Sequence, residues 1–153
     1  MTAEFAGIER RLDELSERLA RLNPLKERPR SDFDRDPYLR DIVERNLEVS
    51  AQCCIDIRNR IISIEGARKP TDYYDALLRM GELGVLQMGF ARKLAPLAGF
   101  RNALVHEYVA VDWGEVYNGL QRLEDLERFA QSVRRWLSVD RLSIRASSSE
   151  EPS

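Results

Sequence analysis

From Phe5 the apolar residues fall at Ile8, Leu12, Leu15, Leu19 and Leu22, in alternating steps of three and four, with arginine and glutamate between them. Only a helix with 3.6 residues per turn gathers that spacing onto one stripe, so the first 22 residues read as an amphipathic helix that stops before Pro24. The steps also match an a/d seam. It lasts only about three heptads, which favours docking on a bundle over a free coiled coil. The next stretch, NPLKERPRSDFDR (23–35), carries two prolines and dense charge and reads as a linker.

Asp36-Pro37 is a helix start, because proline at the first turn sacrifices no hydrogen bond. The apolar pattern continues through Leu39, Ile42, Val43, Leu47, Ala51, Ile55, Arg58 and Ile62 to Gly66. Its second half, CCIDIRNRIISI, is apolar on more than one face, as befits the centre of a bundle or a helix that also meets another subunit. Thr71-Asp72 can cap a shorter helix through YYDALLRMGEL, and Gly81 and Gly84 are expected to break it. Pro96 divides the next segment into helices near 84–95 and 97–106. Asp112-Trp113-Gly114-Glu115 resembles a capping box opening a last helix to about Leu137. With no alternating strand, repeat or glycine-rich phosphate loop, the expected fold is all-α, a bundle of about five helices. The domain reading is an N-terminal helix over 1–22, a linker over 23–35, a bundle core over 36–140 and a flexible tail over 141–153.

At 153 residues the chain can bury about two thirds of its unfolded surface in one core. Its 24 Lys+Arg and 26 Asp+Glu leave a formal net charge of −2, so no global field points to nucleic acid or an anionic membrane and any polyanion site must be local. Cys53 and Cys54 are neighbours in an apolar run, poorly placed for a mutual disulfide and without the spacing of a metal pair. They read as small buried hydrophobes in a reducing compartment, and no metal or cofactor is expected. The start MTAEFAGIERR lacks a leader pattern and no run has the length of a membrane span, which predicts a cytoplasmic location with no membrane partner.

The chain has a single histidine, His106, in GFRNALVHEYVAVDW (99–113). Arg101 lies five positions before it, Asn102 four before and Tyr108 two after. On a helix Asn102 and His106 share a face, so the amide can orient the imidazole while the longer Arg101 reaches round to the same point. The same spacing also suits a histidine that caps a helix C-terminus, with Arg101 and Asn102 tying off carbonyls. Spacing alone admits both.

The string RNALVHEY (101–108) resembles the R-x4-H-x-Y motif of the HEPN superfamily, specifically the HepT-like toxin ribonucleases, and the surrounding helices over about 36–137 stand in the expected order. The resemblance implies a HEPN-type bundle forming a two-fold homodimer. It implies the toxin of a type VII-like toxin-antitoxin pair, an endoribonuclease that cleaves RNA without metal through attack of the ribose 2′-OH, leaving a 2′,3′-cyclic phosphate. Arg101, Asn102 and His106 would be the catalytic residues, and Tyr108 the tyrosine that a minimal nucleotidyltransferase antitoxin modifies with AMP. Glu107 and Asp56 are weaker candidates, Asp56 as a carboxylate that could pair with Arg58, Arg60 or Arg101. Tyr73 and Tyr74 read as packing or partner contacts, and Arg79, Arg92 and Arg122 as candidate local RNA contacts. The alternative is a catalytically idle HEPN dimer that binds a nucleotidyltransferase partner.

Overall fold

The structure, a computed structural model, describes residues 3–66, 68–94 and 113–149, and the described residues contain helices and no strands. Helix α1 spans Ala3–Leu22 and ends in a 3-10 turn, Asn23–Leu25, with Pro24 in its first turn. All six residues of the predicted stripe, Phe5, Ile8, Leu12, Leu15, Leu19 and Leu22, are buried. Each such side chain contributes about 1.5–3 kcal/mol on removal from water. The helix is therefore an inner wall of the bundle.

Helix α3, Pro37–Ile64, runs antiparallel to α1. Arg11 meets Asp56 at 3.5 Å, and further along the pair Arg18 donates to Asn46 Oδ1 at 3.2 Å. At the far end the Arg60 guanidinium lies over Gly7, where a Cβ would come within 2.6 Å of Nη1. Asp36 caps α3 as its sequence predicts, accepting from the N–H groups of Tyr38 and Leu39 at 3.0 and 3.3 Å. Three polar residues are buried in this helix, Asn46, Ser50 and Arg58, and the first two bond within it: Asn46 Nδ2 donates to the Ile42 carbonyl and Ser50 Oγ to the Asn46 carbonyl, each at 2.7 Å.

The expected linker is a connection with structure of its own. Residues Arg30–Arg35 form helix α2, which presents the fully buried Phe33. Its ring centroid lies 5.3 Å from that of Trp113 and 5.9 Å from that of Tyr117. Gln121 Nε2 adds a bond to the Lys26 carbonyl at 3.2 Å. Phe33, with Leu25 packed against the core, fastens this charged stretch.

Helix α4 spans Tyr73–Glu82, with the Asp72 side chain accepting from the Asp75 N–H at 2.7 Å. Of the two glycines expected to break it, Gly81 is helical and only Gly84 stops the chain. At Gly81 a Cβ would meet Met88 Sδ at 2.8 Å, so the small residue lets the next segment fold back closely. Gly84, at φ +77°, closes a Schellman motif in which Val85 N–H bonds to the Met80 carbonyl and Gly84 N–H to the Gly81 carbonyl. Helix α5 is described over residues 88–94, and the helix expected near 97–106 lies outside the described residues.

The single last helix expected from residue 113 is two: α6, Trp113–Leu120, and α7, Leu123–Ser149. Gln121 N–H is shared between the Tyr117 and Asn118 carbonyls and Arg122 N–H turns to Gly119, which tightens the last turn of α6 and ends it. Asn118-Gly119 was the available signal for this break. The α7 backbone continues to Ser149, well past Leu137 and into the segment expected as a solvated tail. Along α1 it also runs antiparallel: Phe5 faces Trp136 at 6.1 Å, and Asn23 donates to Glu127 at 2.9 Å.

Candidate active site

Arg101, Asn102, His106, Glu107 and Tyr108 all lie outside the described residues. What the structure describes is the frame between whose ends that segment is strung. The segment follows Leu94, the last described residue of α5, which is buried, and precedes Trp113, whose indole packs on Phe33. Beside Leu94 is a cavity of about 50 Å³ walled by Leu47, Cys54 and Ile55 of α3, Leu77 of α4 and Phe129 of α7. The frame is thus an apolar face shared by several helices.

Among the described residues one cation interrupts that face. Arg58 is 5% exposed and lines the cavity, and among its partners is the neighbouring Asn59, whose Oδ1 accepts from Nε and Nη2 at 3.3 and 3.2 Å. A buried guanidinium is costly to desolvate and is kept only where polar groups meet it. In the sequence it stood in the apolar register Leu47, Ala51, Ile55, Arg58, Ile62, and a charge in such a register was the signal that a functional reading could have used.

The ion pair of Asp56 corrects an expectation. It is made with Arg11 of α1, and Gln52 Nε2 donates to it at 2.9 Å, whereas Arg58, Arg60 or Arg101 is the expected partner, of which Arg101 lies outside the described residues. Residues two apart on a helix point about 200° away from each other, which turns Arg58 from Asp56. Arg60 shares the Asp56 face but extends over Gly7. Asp56 belongs to the α1–α3 contact.

The cysteines are free, Cys53 buried and Cys54 half-buried. Burial, reinforced by the charges of Glu14 and Asp56, pushes the Cys53 thiol from 9.0 up to about 11, and burial moves Cys54 in the same direction. Since the thiolate is the nucleophile, iodoacetamide should alkylate Cys53 in the native protein at pH 8.5 at least about 100-fold more slowly than in urea. Mass spectrometry over time checks this, and equal rates in the two solvents would refute the buried placement. On raising the pH the unfolded thiol loses its proton before the folded one, so stability is full below about pH 9 and declines as pH rises towards 11.

Of the arginines considered for RNA, Arg79 pairs with Asp75 at 3.6 Å and Arg122 with Asp125 at 3.4 Å, while Arg92 is exposed. Tyr74 is 49% exposed, which leaves its ring available to a partner. Among the described residues no three His, Cys, Asp or Glu side chains are grouped to hold a metal ion, and no helix is long and apolar enough to cross a membrane.

The architecture is that of a HEPN-type bundle. The chain superposes with a TM-score of 0.73 on a solved structure of the tri-AMPylated Shewanella oneidensis HEPN toxin in complex with MNT antitoxin, at 24% identity and over 88% of this chain and 99% of that one. A cytosolic protein of unknown function from Bacillus subtilis superposes equally well, at TM-score 0.73 and 22% identity, over 88% and 91% of the two chains. Within that class the chain belongs to the ribonuclease HepT-like family, whose family model matches residues 8–133. It is 36% identical to the tRNA nuclease HepT of Aphanizomenon flos-aquae over 76 residues, 50% of this chain and 52% of that protein. It is 29% identical to the mRNA nuclease HepT of Shewanella oneidensis over 105 residues, 68% of this chain and 79% of that one. The chain thus spans about half the length of the first of these relatives and more than two thirds of the second.

Proposed function

We propose that the chain is the toxin of a toxin-antitoxin pair, a metal-independent endoribonuclease whose activity is silenced by adenylylation of Tyr108. The observation that carries this reading is the extent of the family match, residues 8–133, which contains the whole of RNALVHEY. Relatives named as tRNA and mRNA nucleases support RNA as the substrate, and a solved AMPylated toxin with its antitoxin supports the partner.

The ribose 2′-OH attacks the adjacent phosphorus, the P–O5′ bond breaks, and the products are a 2′,3′-cyclic phosphate and a free 5′-OH. Such a step needs a base for the 2′ proton, an acid for the leaving oxygen and positive charge on the phosphorane. His106 is assigned the proton transfers, Arg101 the clamp on the phosphoryl oxygens and Asn102 the orientation of the imidazole. One histidine serves both sides of a phosphorus poorly. A two-fold homodimer brings two copies of His106 and Arg101 to a shared cleft. Purified protein in excess EDTA should convert RNA to fragments with cyclic-phosphate ends. Intact RNA, from a preparation shown by mass spectrometry to carry no AMP, would defeat the proposal.

Regulation centres on Tyr108. Its phenolic oxygen attacks the α-phosphorus of ATP held by the nucleotidyltransferase, pyrophosphate departs, and a phosphodiester remains beside the cleft. That added anion competes with RNA for Arg101. Tyr108→Phe is expected to keep ribonuclease activity within a few-fold and to gain no adenylyl mass when incubated with ATP and the antitoxin. Adenylylation of the variant elsewhere in RNALVHEY with full silencing would refute the role of Tyr108.

A further inference from the structure

Arg58 also borders an open basin of about 700 Å³, within the size range of small-molecule sites. Arg58, Asn59 and Ser63 of α3 form one wall, and Lys69, Thr71 and Asp72, from the connection into α4, form the other. Ile62 and Pro70 supply apolar surface between them. Arg58 is common to the cavity and the basin, and the cavity is also lined by Leu94, where the segment carrying the RNALVHEY motif departs.

The charges of the basin are unevenly committed. Asp72 accepts from the Asp75 N–H through Oδ1, as the cap of α4, and keeps its negative charge at the rim of the basin. Asp75, behind it, accepts from the Thr71 N–H at 3.0 Å and pairs with Arg79, and the Thr71 bond holds its carboxyl below the usual carboxylate range. The acids are thus tied into the helix start. On the opposite side, Asn59 Oδ1 already accepts from Arg58, so the amide has its NH₂ left to donate. Ser63 adds a hydroxyl, and Lys69 an exposed ammonium. The basin therefore offers hydrogen-bond donors and, among its described lining residues, two cations, Arg58 and Lys69, against one carboxylate, Asp72.

We infer that this basin binds the sugar-phosphate backbone of the RNA strand, as a phosphate subsite tolerant of sequence. It rests on the ribonuclease reading. A phosphodiester between Lys69 and the Asn59 amide is held by charge and by hydrogen bonds, and both are indifferent to the identity of the base. Backbone contacts of this kind position a strand, which a chain of net charge −2 must do through local cations.

The test uses the full-length protein and a short fluorescent 2′-O-methyl RNA, which lacks the attacking hydroxyl and cannot be cut. Anisotropy gives Kd across a salt series for the wild type, Lys69→Ala, Asn59→Ala and, as a control away from the basin, Arg21→Ala. Lys69→Ala is expected to weaken binding about 3–10-fold at low salt and to flatten the slope of log Kd against log salt by about 0.7, one phosphate contact on a single strand. Asn59→Ala should weaken binding with the slope unchanged, and Arg21→Ala should match the wild type. Wild-type affinity and slope in both basin variants would overturn the inference. Weakened binding of AMP but not of RNA by Lys69→Ala would also overturn it, making a free nucleotide the source of the phosphate. Cleavage of unmodified RNA is scored in parallel. A wild type that cuts, with basin variants that bind normally, sinks the subsite alone; uncut RNA with binding that depends on Lys69 sinks the ribonuclease reading alone.

Discussion

His106→Ala is expected to slow RNA cleavage by about 10²–10⁴-fold, the range that a positioned acid or base contributes. The chain has one histidine, so no second imidazole of the same subunit can take over. In a two-fold dimer the substitution removes both copies at once. Single-turnover cleavage of a labelled RNA in EDTA gives the rate, and circular dichroism checks that the variant is folded. The pH dependence carries a second prediction: loss of the histidine should abolish a limb of the rate profile near neutral pH, where an unperturbed imidazole titrates. A folded variant that cuts at the wild-type rate would leave the motif as a helix cap and move the protein to the idle-dimer alternative.

The second large effect concerns stability. Phe33→Ala should cost about 3–5 kcal/mol, as truncation of a fully enclosed aromatic does, and lower Tm by on the order of 10 °C. The ring fills the space between α2 and α6, against Trp113 and Tyr117. Thermal unfolding measures the loss. Tyr38→Ala, at a side chain 79% exposed, should change Tm little and serves as the control. A negligible shift for Phe33→Ala would mean that the connection between α1 and α3 is held by its polar bonds alone, such as that from Gln121 to the Lys26 carbonyl.

Periodicity made the long elements legible. The stripe from Phe5 to Leu22 and the capped start at Asp36 depend on local rules, spacing and a carboxylate beside two N–H groups, and both stand in the structure as those rules require. Phe33 depends on a partner some eighty residues away, so nothing local marked it as an anchor. Gly81 and Gly84 look alike in the sequence. Only the return of Met88 onto α4 makes one of them a packing position, while the positive φ makes the other a stop. Arg58 keeps the spacing of the apolar face, and its charge is the discordant detail in that register. The catalytic reading came from a different source, the resemblance of RNALVHEY to a family motif, and the family match now includes those residues.

The placement of α1 has a consequence for synthesis. Its stripe is closed on one side by α3 and on the other by α7, through pairs as distant in sequence as Phe5 with Trp136 and Asn23 with Glu127. Domains form as their parts emerge from the ribosome, N-terminal segments first. Here α3 can cover most of the stripe as soon as it emerges, but the flank that meets Trp136 stays open until α7 follows. Completion of the core around Phe5 is thereby deferred until α7 has been made.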